Sequence, residues 1–367
     1  MGDEGLQRTG GRRVTGGPTR SSGSTSDGAP PAGGGPGRDG GGPGSSGRRP
    51  ASPGGGRASS GRGRALAEGG PAIPADWLAW ISRLPAEGGP SGADWARRAQ
   101  RLLGEAFERW GLVTDGPLRT GWTAVVAPVL RDGEPLALKL VRRSRDTDGE
   151  PLALRHWAGN GAVRLVAALP GDGMLLLERL DPDRDLRGLD TDSACEVIGG
   201  LLARLHVAAP PALDPLSNWA AGWLDEAGRR QALPRRMVAR ARGLLAELST
   251  DPSCDATLVH GDLHYENVLA GTREPWLAID PQPRAGHPGF ELHAVLRNRR
   301  DELGTGAALR WSVRRRTEVL CEAAGIDEDI ARRWTIVRCA IEAVWALEDD
   351  NADEVTFSIA LAKALDD

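Results

Sequence analysis

LVHGDLHYENVLAGTREPWLAIDP, residues 258–281, consists of two short apolar runs with a polar turn between them. Each run has the length and composition of a buried strand. The turn carries Asp262 and Asn267, and Asp280 ends the second run. The sequence therefore predicts that two buried strands present three oxygen-bearing side chains at one rim.

The order of these residues matches the pattern H-x-D-L-x-x-x-N, beginning at His260, followed by an aspartate at a strand end. Phosphoryl transfer needs one carboxylate that orients the attacking hydroxyl and accepts its proton. It also needs an amide and a second carboxylate that hold the magnesium ions bridging the nucleotide phosphates. The stretch therefore indicates a kinase catalytic loop and its metal-binding aspartate.

Two other interpretations of the same residues stay open. An aspartate in a loop is usually a turn or cap residue, and a single histidine is most often a hydrogen-bonded core residue. Alternatively, His260 and His264, together with the two aspartates, would ligate zinc or a metal pair in a hydrolase. The hydrolase interpretation gives Asn267 no role, whereas a kinase also requires a strand lysine and a helix glutamate upstream.

The upstream chain contains a candidate hairpin and lysine. Residues 123–130 and 135–141 are strand-like and are joined by an Asp-Gly pair, a strong hairpin signal. Residues 119–122 are predicted to be the preceding turn, with Gly121 as the candidate glycine over the phosphates, although the full GxGxxG motif is absent. Lys139 lies in the third strand, where kinases place the lysine that pairs with the α- and β-phosphates.

Lysine is rare in this chain. Of the 46 lysine and arginine residues, only Lys139 and Lys363 are lysines. A lysine retained within an apolar strand suggests a need for a compact ammonium rather than a guanidinium fork. Glu150 opens the next helical stretch and is the candidate partner of Lys139, although the helix dipole alone also favours a glutamate there.

The chain as a whole predicts an α+β, protein-kinase-like fold with two lobes. Residues 71–110 have apolar positions at helical spacing and are expected to form N-terminal helices. Residues 111–180 are expected to form a small nucleotide-binding lobe, a five-stranded antiparallel sheet with one helix. Residues 181–367 are expected to form a larger, mostly helical, catalytic and substrate-binding lobe. The backbone around Glu178 and Leu180 would meet the adenine.

Residues 1–70 differ in composition from the rest. They hold 24 of the 50 glycines, and Leu6, Val14 and Leu66 are their only Leu, Ile, Val or Phe. Such a segment buries too little apolar surface to fold, so it is predicted to be a disordered tail. Its ten arginines and five acids give it a charge of +5, which leaves −9 for residues 71–367.

A basic tail of this kind could contact nucleic acid, but without aromatic residues a solvated tail is expected. A non-ATG start codon downstream of the tail is a further alternative, because the next methionine is Met174. The tail lacks the continuous apolar h-region of a secretory signal, so secretion is not expected. The chain has no run of about 18 apolar residues, so no membrane span and no membrane partner are expected. Four cysteines without a CxxC pair suit reduced thiols in a cytoplasmic protein.

With these parts in place, the chain resembles the aminoglycoside and hydroxyurea phosphotransferase family, the group typified by streptomycin 6-kinase. The resemblance is carried by WAGNGAVRLVAALPGDGMLLLERL (157–180), LLARLHVAAPPALDPLSNWA (201–220), LVHGDLHYENVLAGTREPWLAIDPQP (258–283) and GFELHAVLRNRRDEL (289–303). It covers about residues 73–367 and is specific in the catalytic loop. It implies a kinase-like fold that uses ATP and magnesium to phosphorylate a small-molecule hydroxyl, in antibiotic resistance or secondary metabolism.

The resemblance also implies roles for individual residues. Asp262 becomes the catalytic base, Asn267 and Asp280 the magnesium ligands, and Lys139 with Glu150 the pair that positions the phosphates.

The two histidines of the loop complete the catalytic candidates. His264 stands two residues after the base, where protein kinases carry a lysine near the γ-phosphate, and is expected to orient the loop or touch phosphate, while His260 opens the motif. After Asp280 the chain has no room for a long activation loop, so a small-molecule acceptor is expected rather than a protein.

Two positions depart from the family pattern. Gln282 stands where a lysine is expected and could alter substrate or phosphate contacts, and Glu291 stands where an aspartate is expected and could loosen the support of the catalytic loop.

Acidic side chains on or beside the helices of the larger lobe would suit a cationic acceptor, although most such charges belong to solvated helix faces. The candidates are Asp225, Glu226, Glu342, Glu348, Asp349, Asp350, Asp353 and Glu354. Three functions compete: a small-molecule phosphotransferase, a catalytically silent nucleotide-binding module of the kinase type, and a metal-dependent hydrolase. The phosphotransferase is preferred because it accounts for the whole ordered set of residues.

Overall fold

The computed structural model describes residues 70–230 and 233–366. The predicted disordered tail lies outside the described residues.

Two helices precede the sheet, α1 (Ala75–Ile81) and α2 (Gly92–Trp110). The side chain of Ser91 accepts a hydrogen bond from the Asp94 N–H and begins α2, while Gly111, with φ 60°, ends it. The apolar faces of both helices pack on one face of the sheet.

The sheet has six antiparallel strands: β1 (Val113–Thr114), β2 (Arg119–Thr120), β3 (Ala124–Arg131), β4 (Glu134–Val141), β5 (Leu165–Leu169) and β6 (Met174–Glu178). Their order is β1-β3-β4-β6-β5, with β2 also pairing with β3. The predicted β3–β4 hairpin is formed, and Asp132 and Gly133 have φ values of 52° and 82°, as a type I′ turn requires.

The first of the five expected strands differs from the prediction. Gly116, with φ 144°, and Pro117, which has no backbone N–H, interrupt it, so two two-residue strands form in its place. Arg119 and Thr120 consequently pair with β3 and do not belong to the turn, which starts at Gly121.

The two faces of the sheet have different neighbours, because successive side chains of a strand point to opposite faces. On β4, Leu138 and Leu140 pack in the apolar cluster of α1 and α2, whereas Val141 packs in the cluster that contains Trp157 of α3 (Glu150–Trp157). Lys139 therefore points toward α3 and the rest of the chain.

The remainder is mostly helical. Its helices are α4 (Thr191–Leu205), α5 (Leu216–Arg230), α6 (Arg235–Leu248), α7 (Leu292–Leu296), α8 (Ala307–Ala324), α9 (Glu328–Glu348) and α10 (Ala352–Leu365). Its short strands are β7 (Asp181–Asp185), β8 (Thr257–Val259), β9 (Val268–Ala270), β10 (Leu277–Ala278) and β11 (Arg284–Gly286). The strands pair as β10-β9-β7 and as β11-β8.

The predicted two-lobe α+β class is confirmed: a small antiparallel sheet with one inserted helix precedes a mostly helical lobe. Strand β7 was not expected; it forms because β9 has a free edge with which β7 pairs. The four cysteines are buried and free, as predicted. Within residues 70–230 and 233–366, no helix combines the length and apolarity that crossing a bilayer requires.

Candidate active site

The ammonium group of Lys139 is the centre of the candidate site. Its Nζ donates hydrogen bonds to Oε1 and Oε2 of Glu150 at 2.6 and 2.7 Å, and to Oδ1 of Asp280 at 2.5 Å. Lys139 comes from β4, Glu150 from the first turn of α3, and Asp280 from the segment after β10. The fold thus brings together three residues that the sequence proposes for phosphate and metal binding.

Burial determines the charges of these groups. Lys139 and Glu150 are 5% and 1% exposed, whereas 57% of the Asp280 side chain remains accessible to water. Desolvation lowers the pKa of Lys139, but the two carboxylates more than offset it, so the pKa lies above its ordinary value. Desolvation raises the pKa of Glu150 to about 7 despite the opposing charge of Lys139. Desolvation also acts to raise the pKa of Asp280, but Lys139 holds it below its ordinary value.

Asp262 and Asn267 lie in the turn between β8 and β9. The Nδ2 of Asn267 donates to the backbone carbonyl of Asp262 at 2.8 Å, and the Nε2 of Gln282 donates to Oδ2 of Asp262 at 3.1 Å. Gly261 has φ 82°, and a Cβ there would lie 2.3 Å from the Gln282 carbonyl oxygen, so the turn requires glycine. Within the described residues, Oδ1 of Asp262 and Oδ1 of Asn267 accept no hydrogen bond.

Asn267 and Asp280 fit a magnesium ion. Both present oxygen atoms, the ligands that this hard cation prefers, and the N–H of Ile279 donates to the Asn267 carbonyl at 2.9 Å, which fixes the spacing between the two residues. Asp280 has φ 59°, a left-handed conformation that non-glycine residues rarely adopt. Such strain persists mainly at functional sites, where the surrounding structure enforces it.

The carboxylate of Glu291 accepts hydrogen bonds from the backbone of the catalytic loop. Its Oε1 accepts from the backbone N–H of His260 at 2.5 Å and its Oε2 from that of Gly261 at 2.9 Å. Desolvation acts to raise the pKa of Glu291, but the nearby His206, whose Nε2 lies 3.7 Å away, together with the ring and the backbone amide of His260, lowers it. The longer side chain of Glu291 therefore still reaches both amides of the loop.

His260 lies behind the loop and is fully buried. Its Nε2 bonds to the Ile279 carbonyl at 3.0 Å, its Nδ1 accepts from the Asp262 N–H at 3.3 Å, and its ring stacks on Trp157 with centroids 6.0 Å apart. Burial lowers the pKa of the imidazole. His260 thus holds the backbone of Asp262 and has no ring nitrogen left for a metal ion.

His264 is half-buried, and its Nδ1 accepts from the Glu266 N–H at 3.3 Å. In the described part of the chain, no three His, Cys, Asp or Glu side chains are grouped as metal ligands. The hydrolase interpretation, which needed such a group around the two histidines, therefore has no geometric support.

The remaining nucleotide candidates are Gly121, Glu178 and Leu180. Gly121 lies in the turn between β2 and β3, where its N–H donates to the Ala124 carbonyl at 2.8 Å and a Cβ would meet only ordinary contact. The carboxylate of Glu178 accepts from the Arg164 N–H at 2.7 Å and from Arg273 at 2.8 Å. Leu180 follows β6 and is buried. The side chain of Glu178 is therefore engaged within the chain, and that of Leu180 is enclosed.

Several of the acids considered for a cationic acceptor are paired with arginines. Glu342, 3% exposed, lies between Arg297 at 3.0 Å and Arg338 at 2.7 Å. Further pairs are Asp225 with Arg242, Glu226 with Arg229, and Glu354 with Arg300. These carboxylates are neutralised within the chain, which the sequence alone did not indicate.

Two residues that interact with the Asp262 carboxylate were not proposed as site residues from the sequence. Gln282 was noted only as a departure from a pattern, although its amide bonds to Asp262. Arg297, on the C-terminal side of α7, is half-buried and has its pKa raised: desolvation opposes the shift, but the Glu342 and Asp262 carboxylates outweigh it. No local signal identifies either residue, because both depend on contacts between distant segments.

Comparison with known proteins agrees with this geometry. The sequence profile of the family described as aminoglycoside/hydroxyurea antibiotic resistance kinase matches residues 109–350. A hydroxyurea phosphotransferase of Kitasatospora aureofaciens is 42% identical over 313 residues, covering 78% of this chain and 88% of that protein. A streptomycin 6-kinase of Streptomyces glaucescens is 40% identical over 285 residues, covering 76% and 92%.

Among solved structures, the choline kinase LicA of Streptococcus pneumoniae superposes with a TM-score of 0.52 at 14% identity, covering 73% of this chain and 99% of that one. At this identity the likeness shows the fold alone. The family match spans most of the described residues and contains the whole Lys139, Asp262 and Asp280 arrangement. The chain is a member of the aminoglycoside/hydroxyurea antibiotic resistance kinase family.

Proposed function

We propose that the chain transfers the γ-phosphoryl group of ATP, with magnesium, to a hydroxyl group of a small molecule, an aminoglycoside of the streptomycin type or hydroxyurea. The observation that carries this proposal is the triangle of Lys139, Glu150 and Asp280, formed from three separate elements close to Asp262 and Asn267. A kinase needs this set, whereas a hydrolase does not.

Asp262 is the proposed base. Gln282 holds Oδ2 of its carboxylate and His260 holds its backbone N–H, so Oδ1 is presented to an acceptor hydroxyl in a fixed orientation. This oxygen orients the hydroxyl and takes its proton as the new oxygen–phosphorus bond forms, while the bond between the γ-phosphorus and the β–γ bridging oxygen breaks and ADP leaves.

Lys139 is the proposed contact of the α- and β-phosphates, held in place by Glu150. Asn267 and Asp280 would hold the magnesium ion through their side-chain oxygens. Bound magnesium neutralises charge on the transferring phosphoryl group and its neighbours. His264, beside the base, is proposed to orient the loop near the γ-phosphate.

The remaining nucleotide contacts are proposed for residues 111–180, with the turn at Gly121 over the phosphates and the backbone of Glu178 and Leu180 at the adenine. The acceptor would lie against residues 181–367. Because Glu342 is tied to two arginines, the amino or guanidino groups of an aminoglycoside would have to meet other acids. A cytoplasmic location is proposed, where ATP is available and the cysteines stay reduced.

The experiment that tests this function measures ATP consumption by the full chain with magnesium, with streptomycin, with hydroxyurea and with neither. Asp262→Asn should lower acceptor-dependent turnover by about 10²- to 10⁴-fold, the range that a general base contributes. Asp132→Asn, in the β3–β4 hairpin, is the matched control and should keep full activity, because asparagine also tolerates the left-handed conformation. ATP binding without turnover with either acceptor would instead favour a silent nucleotide-binding module.

A further inference from the structure

The turn between β2 and β3 is held by a residue of the N-terminal helix α1. The Nε1 of Trp77 donates a hydrogen bond to the backbone carbonyl of Gly121 at 2.9 Å. The Trp77 side chain is 1% exposed. This bond joins residues 44 positions apart in the sequence, and it is partly buried, because Trp77 lies in the apolar cluster of α1 and α2 whereas Gly121 is exposed.

The same helix contacts the next side chain of the turn. Trp80 packs edge-on against Trp122, with ring centroids 4.7 Å apart. Trp77 in turn packs edge-on against Trp95 of α2 at 5.7 Å. The turn is therefore restrained both at a backbone carbonyl and at a side chain, and α2 supports the helix that provides both contacts.

The connection between α1 and α2 binds Arg142, the residue that follows strand β4 and Lys139. Arg142, 1% exposed, donates to the carbonyls of Pro85 and Pro90 at 3.0 and 3.3 Å and to the Glu87 carboxylate at 2.8 Å. The backbone N–H of Arg142 also donates to the Thr123 carbonyl at 2.8 Å, at the end of the turn. Helix α1 and the connection that follows it thus contact both the turn and Arg142, which lies three residues after Lys139.

The turn needs such external support. It contains a single glycine at 121, whose φ is not in the left-handed region and where a Cβ would make only an ordinary van der Waals contact, so its sequence does not impose a rigid conformation. Its own backbone supplies the bond from the Gly121 N–H to the Ala124 carbonyl.

We propose that α1 is a nucleotide-positioning element and that Trp77 is its positioning residue, which fixes the turn over the phosphates before ATP binds. This inference rests on the proposed function, in which the turn covers the nucleotide phosphates. A turn ordered beforehand loses less conformational entropy on binding, so removal of the restraint weakens ATP binding more than it slows the chemical step.

The test compares Trp77→Phe with Trp95→Phe in the full chain. Both changes keep an aromatic ring in the same apolar cluster, but among residues 70–230 and 233–366 the buried Trp95 indole N–H has no hydrogen-bond partner, so its loss removes no bond there. Trp77→Phe should raise the KM for ATP about three- to tenfold, the effect of one lost hydrogen bond, with kcat nearly unchanged. Trp95→Phe should leave the KM for ATP at the wild-type value.

Two further measurements keep the result interpretable. Hydrogen exchange of the peptide containing residues 119–124 should become faster in Trp77→Phe but not in Trp95→Phe, and it reports on the turn without any turnover. If Trp77→Phe does not fold, Trp80→Leu tests the same restraint through Trp122, because Trp80 is half-buried.

An unchanged KM for ATP in both Trp77→Phe and Trp80→Leu, with an active wild type, would overturn the inference and leave the proposed function intact. An equal rise of KM in Trp95→Phe would also overturn it, since packing rather than the bond would then be responsible. A wild type without ATP turnover would overturn the proposed function, and the role of Trp77 in nucleotide positioning would fall with it.

Discussion

Lys139 and Asp280 are 141 residues apart in the sequence, yet the Nζ of one lies 2.5 Å from the Oδ1 of the other. This contact joins strand β4 of the small lobe to the segment that follows β10 in the large lobe. It places a buried cation beside a carboxylate that is more than half exposed. One ion-pair cluster therefore contains both the ammonium group that is proposed to contact the nucleotide phosphates and the carboxylate that is proposed to hold magnesium.

Replacement of Lys139 by arginine should lower kcat/KM for ATP by about 10²-fold, the cost of misplacing a group by about 1 Å. The site holds a compact ammonium between two carboxylates, and a planar guanidinium has neither the same size nor the same donor directions. Steady-state kinetics with varied ATP would measure this loss. The control is Lys363→Arg, an exposed residue in the last turn of α10, which should be fully active. Equal activity of both variants would remove Lys139 from the site.

The pH dependence of ATP use should carry the signature of Glu150. Desolvation raises the pKa of this carboxyl group to about 7, so it is ionised above that pH and becomes protonated below it. Protonation removes one of the two carboxylates that hold Lys139. We therefore expect kcat/KM for ATP to fall as the pH decreases through about 7.

Glu150→Gln provides the comparison for this pH profile. The variant should have a lower kcat/KM at pH 8 and should lack the decrease near pH 7, because glutamine does not titrate. A decrease with the same midpoint in the variant would assign the titration to another group.

The sequence predicted the parts of the site that lie in one continuous motif. Asp262, Asn267 and Asp280 occur within 19 residues, so their spacing alone placed them at the ends of two short strands. Lys139 was proposed because it lies in the third predicted strand, upstream of the catalytic motif, and because lysine is so rare in this chain. The fold class followed from the order of the strands and helices, which is set by local apolar patterns.

The rest depended on contacts between distant segments. The split of the first strand is an exception: it has a local cause at Gly116 and Pro117, whereas a single strand was predicted there. The indole of Trp77 looked like an ordinary core residue, because periodicity shows that a side chain is buried but not what its N–H meets. Arginine partners of acidic residues such as Glu342 were likewise invisible, since they come from other helices.

Glu291→Gln should destabilise the catalytic loop. The carboxylate accepts hydrogen bonds from two buried amides, and an amide side chain has only one acceptor oxygen, so one backbone N–H would face an NH₂ group. An unsatisfied buried donor costs about 1–3 kcal/mol, so both the thermal midpoint and kcat should decrease. Glu291→Asp keeps the charge and both acceptor atoms and should retain more activity. A fully active and stable Glu291→Gln would show that these bonds do not support the loop.

Gln282→Ala should lower kcat with little change in the KM for ATP. The Gln282 amide holds Oδ2 of Asp262 at 3.1 Å, so its removal lets the carboxylate rotate away from the acceptor hydroxyl. Because this side chain fixes orientation rather than nucleotide affinity, the loss should appear in kcat, by about three- to tenfold for one hydrogen bond. Gln100→Ala is the matched control, since Gln100 also bonds through its side chain, to Ile73 and Pro71, but lies on α2. A loss confined to the KM for ATP would place Gln282 at the nucleotide and not at the base, which is the opposite of what its contact with Asp262 implies.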